Sequence, residues 1–181
     1  MRISVKIALI ASYTALGIVL SPLWFPVLGS KAFPFQHMIN ILSAITLGPL
    51  YAALVAVFVG IIRYSLGLGT IYAFPGGIPG GLVVGTFYIL LRRYIPPSKA
   101  WKISAFTEPI GTVLIGALTS YFLIAPLIGD ERTLALASEN IFTGLLIFST
   151  GWFISSFIGV LVAFTTLYFL EVSRYIRFLE G

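Results

Sequence analysis

Apolar residues follow one another along this chain in six long runs, separated by short stretches rich in proline, glycine or charge. The hydrocarbon core of a bilayer is about 30 Å thick, so a helix needs roughly 20 apolar residues to cross it. We therefore predict an all-α integral membrane protein, a six-transmembrane-helix bundle forming a single transmembrane domain over residues 1–181. The predicted helices cover residues 5–21, 36–47, 50–66, 77–91, 107–125 and 141–170.

Three stretches depart from the simple crossing pattern. The second run, 36–47, is short, which indicates a tilted helix or one that begins inside the protein. The last run, 141–170, would extend about 45 Å as a straight helix, so we expect it to tilt or to protrude. Residues 70–81 are rich in glycine and proline and predict a loop, which could lie over a pocket as a lid.

The composition supports a membrane location. Only 9% of the 181 residues are charged and 59% are hydrophobic, whereas a soluble domain usually carries about a quarter charged residues. The chain has no cysteine, which excludes disulfides, thiolate metal sites and a cysteine nucleophile. The basic start at 1–6 resembles a signal peptide, but no small-residue cleavage site follows, so we expect a retained first helix.

The basic residues predict the orientation of the bundle. With six crossings, one side receives Arg2, Lys6, the 92–102 loop, Arg174 and Arg177. The other side receives the remaining loops, including the acidic one between the fifth and sixth helices. Because cytoplasmic loops carry an excess of Lys and Arg, we predict that the N and C termini are both cytoplasmic.

Two polar sites stand out within the apolar runs. Gln36, His37 and Asn40 open the second helix, and their spacing places 37 and 40 on one helical face. They either contact a ligand or are interface groups satisfied by water and backbone; a lone histidine argues against a metal site. Arg63, near the end of the third helix, either faces a cavity or a partner or extends its long side chain to the interface.

Other side chains allow two interpretations each. Glu108 precedes Pro109 and is typical of a helix start, where an acidic group suits the positive end of the helix dipole, so we favour a structural role. Trp152, Tyr72, Trp24 and Phe74 either stack on an aromatic ligand or belong to the core and the interfacial belt.

The first helix carries small residues on one face. Ala11 and Ala15 form a small-xxx-small pair, with Ala8 one turn earlier, and such pairs let a second helix approach closely. The partner is either another helix of this chain or a separate subunit.

The sequence has none of the common catalytic motifs. It contains no HExxH zinc pair, no G-x-S-x-G elbow and no clustered aspartates for phosphoryl transfer. The glycine-rich stretches lack the Gly-Lys-Ser/Thr of a P-loop, so the energy for any active transport must come from elsewhere. We therefore predict no enzymatic activity, no catalytic or metal site and no cofactor.

Several segments resemble the ThiW family of substrate-binding (S) components of energy-coupling factor (ECF) transporters. They are 33–40 (FPFQHMIN), 47–52 (LGPLYA), 60–63 (GIIR), 67–70 (GLGT), 73–76 (AFPG) and 108–112 (EPIGT). The resemblance covers most of the chain and is strongest over 33–85, whereas the last helix shows no matching signature. It implies a multi-pass protein of a prokaryotic cell membrane that binds hydroxyethylthiazole, the thiazole precursor of thiamine, from outside.

The resemblance also implies a partner and a site. A transmembrane coupling subunit, driven by two ATPase subunits, would dock on the first helix at Ala11 and Ala15. A small neutral aromatic substrate suits aromatic walls with a few aimed polar groups. We predict hydrogen bonds from His37, Asn40 and Arg63 and stacking by Tyr72 and Trp152, with Asn140 as a weaker candidate.

Other functions compete with substrate capture. An S component for a different vitamin or precursor would keep the class and change the ligand. A self-sufficient carrier would need internal repeats or ionisable residues at midplane. A membrane enzyme is disfavoured by the missing motifs, and a scaffold subunit would bind no small molecule.

Overall fold

The computed structural model describes residues 1–28 and 30–170, which are mostly helical. The predicted basic residues Arg174 and Arg177 lie outside the described residues. The helices are α1 (Ile3–Val19), α2 (Pro34–Leu47), α3 (Pro49–Ser65), α4 (Ala73–Leu91), α5 (Pro97–Ala105), α6 (Ala125–Ile128), α7 (Glu131–Glu139) and α8 (Ile141–Phe169). Two π-helical stretches, Ile110–Ala117 and Ser120–Ile124, precede α6.

Proline and glycine place the boundaries of the central helices. Pro34, Pro49 and Pro97 lie in the first turns of α2, α3 and α5, where the missing backbone N–H removes no helical hydrogen bond. Gly48 alone separates α2 from α3 with a φ of 91°, a backbone conformation that other residues rarely adopt. The chain therefore reverses direction within one residue.

A small β-hairpin lies in the loop before α2, where the sequence analysis predicted no regular structure. Strands β1 (Phe25–Val27) and β2 (Ser30–Ala32) pair antiparallel, with Phe25 opposite Ala32. The hairpin contacts α8. It forms one wall of the cavity described below.

The predicted loop over 70–81 is wrong for residues 73–81, which form the first turns of α4; the predicted fourth helix, 77–91, lies within α4 and begins one turn too late. Glycines in this helix allow close approach of its neighbours: a Cβ at Gly81 would lie 3.1 Å from the Cβ of Ala52 in α3. A Cβ at Gly85 would lie 2.6 Å from the backbone nitrogen of Pro49. In a membrane protein, glycines of this kind pack helices together rather than break them.

The chain between α4 and α8 is more helical than predicted. α5 occupies the predicted basic loop, and α7 occupies the predicted acidic loop. The predicted helix 107–125 consists largely of the wider π turns, which often occur near functional sites.

Three helical segments are long and apolar enough to cross a membrane within the described part of the chain: Ala73–Leu91, Pro97–Ile128 and Ile141–Phe169. α1 and α3 are apolar but have 17 residues each. α2 has 14 residues, most of them buried, and packs against α1, α3, α4 and α8. The six crossings and the cytoplasmic termini stay predictions.

Candidate functional site

A cavity of about 420 Å³ lies at one end of the bundle. Its walls come from the hairpin, the start of α2, the loop after α3, the start of α4, α7 and the middle of α8. This volume is within the range of small-molecule sites. Four of the residues predicted from the sequence line it: His37, Arg63, Tyr72 and Trp152.

Arg63 lies buried in the cavity wall and contacts three other residues there. Its side chain is 1% exposed, so the alternative in which it reaches the interface is wrong. Its Nη1 donates to the side-chain oxygen of Gln36, and its Nη2 donates to the carbonyl oxygen of Leu68 at 3.3 Å. The guanidinium carbon lies 4.2 Å from the ring centre of Phe33, which is a cation–π contact.

Glu108 is the centre of a buried polar cluster, which the helix-start interpretation did not anticipate. Its carboxylate is fully buried, and Oε1 lies 2.8 Å from His37 Nδ1, 3.2 Å from Asn40 Nδ2 and 2.8 Å from Thr112 Oγ1. Ser156 donates to Oε2. The cluster thereby connects α2, the first π-helical stretch and α8.

His37 connects this cluster to the cavity. A carboxylate only accepts hydrogen bonds, so His37 donates from Nδ1 to Glu108, which leaves its other ring nitrogen for a ligand. Asn40 and Glu108 do not line the cavity and lie behind His37. Asn40 therefore has no direct contact with the cavity and donates to the carboxylate that holds His37.

Aromatic rings form another part of the cavity wall. Trp152 and Phe148 lie 5.5 Å apart between ring centres, and Tyr72 is edge-on to both, at 6.3 Å and 6.1 Å. Offset and edge-to-face pairs at these distances are favourable. Phe148 was missed by the sequence analysis, although its position one helical turn before Trp152 places it on the same face of α8.

Asp130 joins two parts of the cavity wall, the start of α4 and α7. Its Oδ2 accepts from Tyr72 Oη at 2.5 Å and from Thr133 Oγ1 at 2.8 Å. Arg132 donates to the Leu28 carbonyl oxygen at 2.5 Å, which joins α7 to the hairpin. Burial and the hydrogen bond to Asp130 raise the pKa of Tyr72 well above its usual value.

Asp130→Asn is expected to remove a stabilisation that depends on pH. Burial alone would raise the pKa of Asp130, but the hydrogen bonds from Tyr72 and Thr133 outweigh it and hold this pKa below its usual value. A lowered carboxylate pKa stabilises the fold above the unfolded pKa of about 3.9, and this stabilisation is lost as the pH falls through the folded pKa.

We therefore expect the Tm of Asp130→Asn to lie below that of the wild type from pH 5 to pH 8, and this difference to shrink below about pH 4 and to vanish once the pH is below the lowered folded pKa. The difference should correspond to at most about 1 kcal/mol, because solvent screens a half-exposed group. Glu139→Gln, at an exposed carboxylate, is the control. A difference that persists unchanged at pH 3 would contradict the assignment.

Two further predicted residues lie away from the cavity. The side chain of Asn140 caps α8 by accepting from the backbone N–H groups of Phe142 and Thr143, each at 3.0 Å. Trp24 does not line the cavity and lies 4.3 Å from the ammonium of Lys31. Within residues 1–28 and 30–170, no three His, Asp or Glu side chains are placed to hold a metal ion.

Comparisons with known proteins agree with this architecture. No curated protein matches the chain. A solved structure described as the S component of a bacterial ECF transporter is similar, with a TM-score of 0.66 and 17% identity over 99% of this chain and 100% of that one. At that identity the likeness is one of fold. A model of the ThiW family, described as thiamine-precursor transporter protein, matches residues 7–173. This chain therefore belongs to the ThiW family of membrane transporter proteins.

Proposed function

We propose that this protein is the membrane-embedded substrate-capture subunit of an ECF-type importer, in a prokaryotic cell membrane that it crosses several times. It binds hydroxyethylthiazole, or a closely related thiazole precursor of thiamine, from outside. A transmembrane coupling subunit and two ATPase subunits supply the energy. The chain itself performs no chemistry.

The cavity is the observation that carries this proposal. Its aromatic wall of Tyr72, Phe148 and Trp152 suits a flat, apolar heteroaromatic ring. His37 and Arg63 present fixed polar groups in the same cavity, which suits a ligand with a polar substituent on that ring. Asn140 is left out of the proposed site, and Asn40 holds Glu108 and His37 in place.

Thermal stabilisation by ligands tests the substrate. A ligand that binds only the folded protein stabilises it by about 2.7 kcal/mol at a hundredfold excess over Kd, so hydroxyethylthiazole should raise the Tm of the detergent-purified protein. Trp152→Leu should weaken this binding about fivefold, since a lost aromatic contact contributes roughly 1 kcal/mol. The measurement is the Tm as a function of ligand concentration.

The matched control is Trp24→Leu, which changes the same residue type outside the cavity. It should keep the wild-type response to the thiazole. A Tm shift with another vitamin and none with thiazoles would retain a capture subunit and reject the substrate. If no vitamin or precursor shifts the Tm of folded protein, the capture function itself is rejected.

The exposed face of α1 is the proposed contact for the coupling subunit. Ala8, Ala11 and Ala15 are all exposed, so none of them is used by the helices of this chain. Small side chains on an exposed face let another helix approach closely. In proteoliposomes with the coupling and ATPase subunits, Ala15→Trp should reduce ATP-driven thiazole uptake by at least about tenfold and leave the ligand-induced Tm shift unchanged.

Leu16→Trp is the control for this experiment, because Leu16 is exposed on a neighbouring stripe of α1 and is already large. It should support normal uptake. Equal uptake by Ala15→Trp and the wild type would contradict the proposed contact.

One observation favours a second candidate, a proton-coupled carrier. The buried pair of Glu108 and His37 is a type of ionisable site that such carriers use within the membrane. Liposomes that contain this chain alone distinguish the two. Uptake driven by a pH gradient without ATPase subunits would establish the carrier, and uptake only with those subunits and ATP would reject it.

A further inference from the structure

The guanidinium of Arg63 has no carboxylate partner in the part of the chain that the structure describes. The only ion pair there joins His37 to Glu108. Asp130, the one carboxylate that lines the cavity among the described residues, is engaged by Tyr72 and Thr133. A charge buried at membrane depth is costly unless an opposite charge or a set of fixed dipoles compensates for it.

The neutral contacts of Arg63 are incomplete. Gln36 and Leu68 each accept from one terminal nitrogen, and Phe33 covers one face of the plane. The Nε atom is buried and has no hydrogen-bond partner among residues 1–28 and 30–170. A guanidinium only donates hydrogen bonds, so what completes this site must be an acceptor.

The surroundings hold Arg63 in one orientation in the cavity wall. Gln36 is itself fixed, because its Nε2 donates to the Ala73 carbonyl oxygen at 2.9 Å. Gly69 lines the cavity, and a Cβ at this position would lie 3.5 Å from Arg63 Nε. The absence of a side chain at Gly69 therefore lets the backbone pack close to Arg63 in the cavity wall.

The other charged groups of the cavity also favour a negatively charged ligand. Of the residues that the structure describes, Lys31 and Arg132 line it together with Arg63, against the single carboxylate of Asp130. Low-dielectric walls strengthen the field of such a set of cations inside the cavity. The cavity therefore combines an excess of positive charge with an aromatic wall.

We infer that the ligand is an aromatic acid, a thiazole with an anionic substituent that is either a phosphate ester or a carboxylate. This inference rests on the proposed function. The ring lies against Trp152 and Phe148, and the anionic oxygens accept from Arg63. An anionic oxygen adds the attraction of opposite charges to a hydrogen bond from the guanidinium, and a neutral hydroxyl does not. The neutral alcohol therefore binds the same site more weakly.

The test measures Kd by thermal stabilisation for four probes: hydroxyethylthiazole, its phosphate ester, a thiazole carboxylate and inorganic phosphate. At least one anionic thiazole should bind about tenfold or more tightly than the alcohol, and which one does so identifies the substituent. Inorganic phosphate should bind far more weakly than the preferred acid. Equal binding of the alcohol and both acids, or inorganic phosphate matching the phosphate ester, would overturn the inference.

Variants then show which residue causes the preference for the anionic thiazole. Arg63→Gln should lose most of the preference for the acid, and Lys31→Gln, at an exposed cation of the same cavity, should keep most of it. Gly69→Ala serves the same purpose if Arg63→Gln does not fold, because its methyl group would lie 3.3 Å from the Cβ of Arg63 and displaces that side chain without removing the charge. An acid preference that survives both Arg63→Gln and Gly69→Ala would overturn the assignment to Arg63.

The two proposals fail separately. If the alcohol binds and the acids bind no better, the inference about charge is wrong and the proposed thiazole capture stands. If no thiazole of either charge binds to folded protein, both the proposed substrate and the inference are rejected.

Discussion

Glu108→Ala is expected to destabilise the protein by about 3–5 kcal/mol and to abolish thiazole binding. The change leaves the His37 ring and the donors of Asn40 and Ser156 without their acceptor in the buried interior, whereas Thr112 can still donate to the Gly76 carbonyl oxygen. Each unsatisfied buried donor costs its full desolvation energy. Binding fails as well, because His37 loses the contact that orients its ring toward the cavity. The measurements are the Tm in detergent and the ligand-induced Tm shift.

Glu108→Gln separates charge from shape. It keeps the size of the side chain and one accepting oxygen, but it places an amide NH₂ where the carboxylate accepted hydrogen bonds. We expect a smaller loss of stability than in Glu108→Ala. Glu131→Ala, at an exposed carboxylate, should change the stability by less than about 1 kcal/mol. A Glu108→Ala protein as stable as Glu131→Ala would show that the buried cluster is unimportant.

The sequence identifies some of these polar residues but not how they are connected. His37 and Arg63 stand out because polar and charged groups are expensive at membrane depth and are rarely there without a role. Glu108 was assigned to a helix start because its nearest signal is Pro109, the next residue. Its partners in α2 and α8 are 71 and 48 residues away, and single-sequence patterns do not report such contacts.

Glycine and proline explain the main error in the fold. Residues 73–81 predict a loop by the rules for soluble proteins, although the predicted fourth helix already begins at 77. The structure has a helix over all of these residues, with Pro79 inside it. In a membrane interior, every backbone group must be satisfied within the protein, which favours helix even for glycine-rich stretches. The glycines then supply flat surfaces for helix packing, as at Gly81 against Ala52.

The rim of the cavity was the least predictable part. α7 lies in a stretch where polar and apolar residues alternate irregularly, and its one buried residue is Thr133. Asp130 and Arg132 gained their roles only through contacts with Tyr72 and Leu28, which are distant in sequence. The aromatic wall is easier to predict from the sequence, since the chemistry of Tyr72 and Trp152 suggests stacking and Phe148 follows from helical spacing.

Gly116→Ala is expected to be the most damaging single-methyl change near the site. A Cβ at Gly116 would overlap the carbonyl oxygen of Pro75 in α4 and would lie 3.2 Å from the ring of Trp152. Backbone cannot rotate away as a flexible side chain can, so α4 and the first π-helical stretch must separate. Overpacking usually costs about 1–3 kcal/mol, and a backbone contact places this change at the upper end.

Gly151→Ala is the matched control, because Gly151 is also buried beside the cavity and its Cβ would meet no atom closer than 3.9 Å, the carbonyl oxygen of Val27. Alanine is the better helix former by up to about 1 kcal/mol, so this variant should be as stable as the wild type or slightly more stable. Gly116→Ala should in addition weaken thiazole binding, because the added methyl displaces Trp152 from the aromatic wall. If unfolding measurements give the two variants the same stability, α4 does not approach the 110–117 stretch as closely as the fold requires, and the position of Trp152 cannot depend on Gly116.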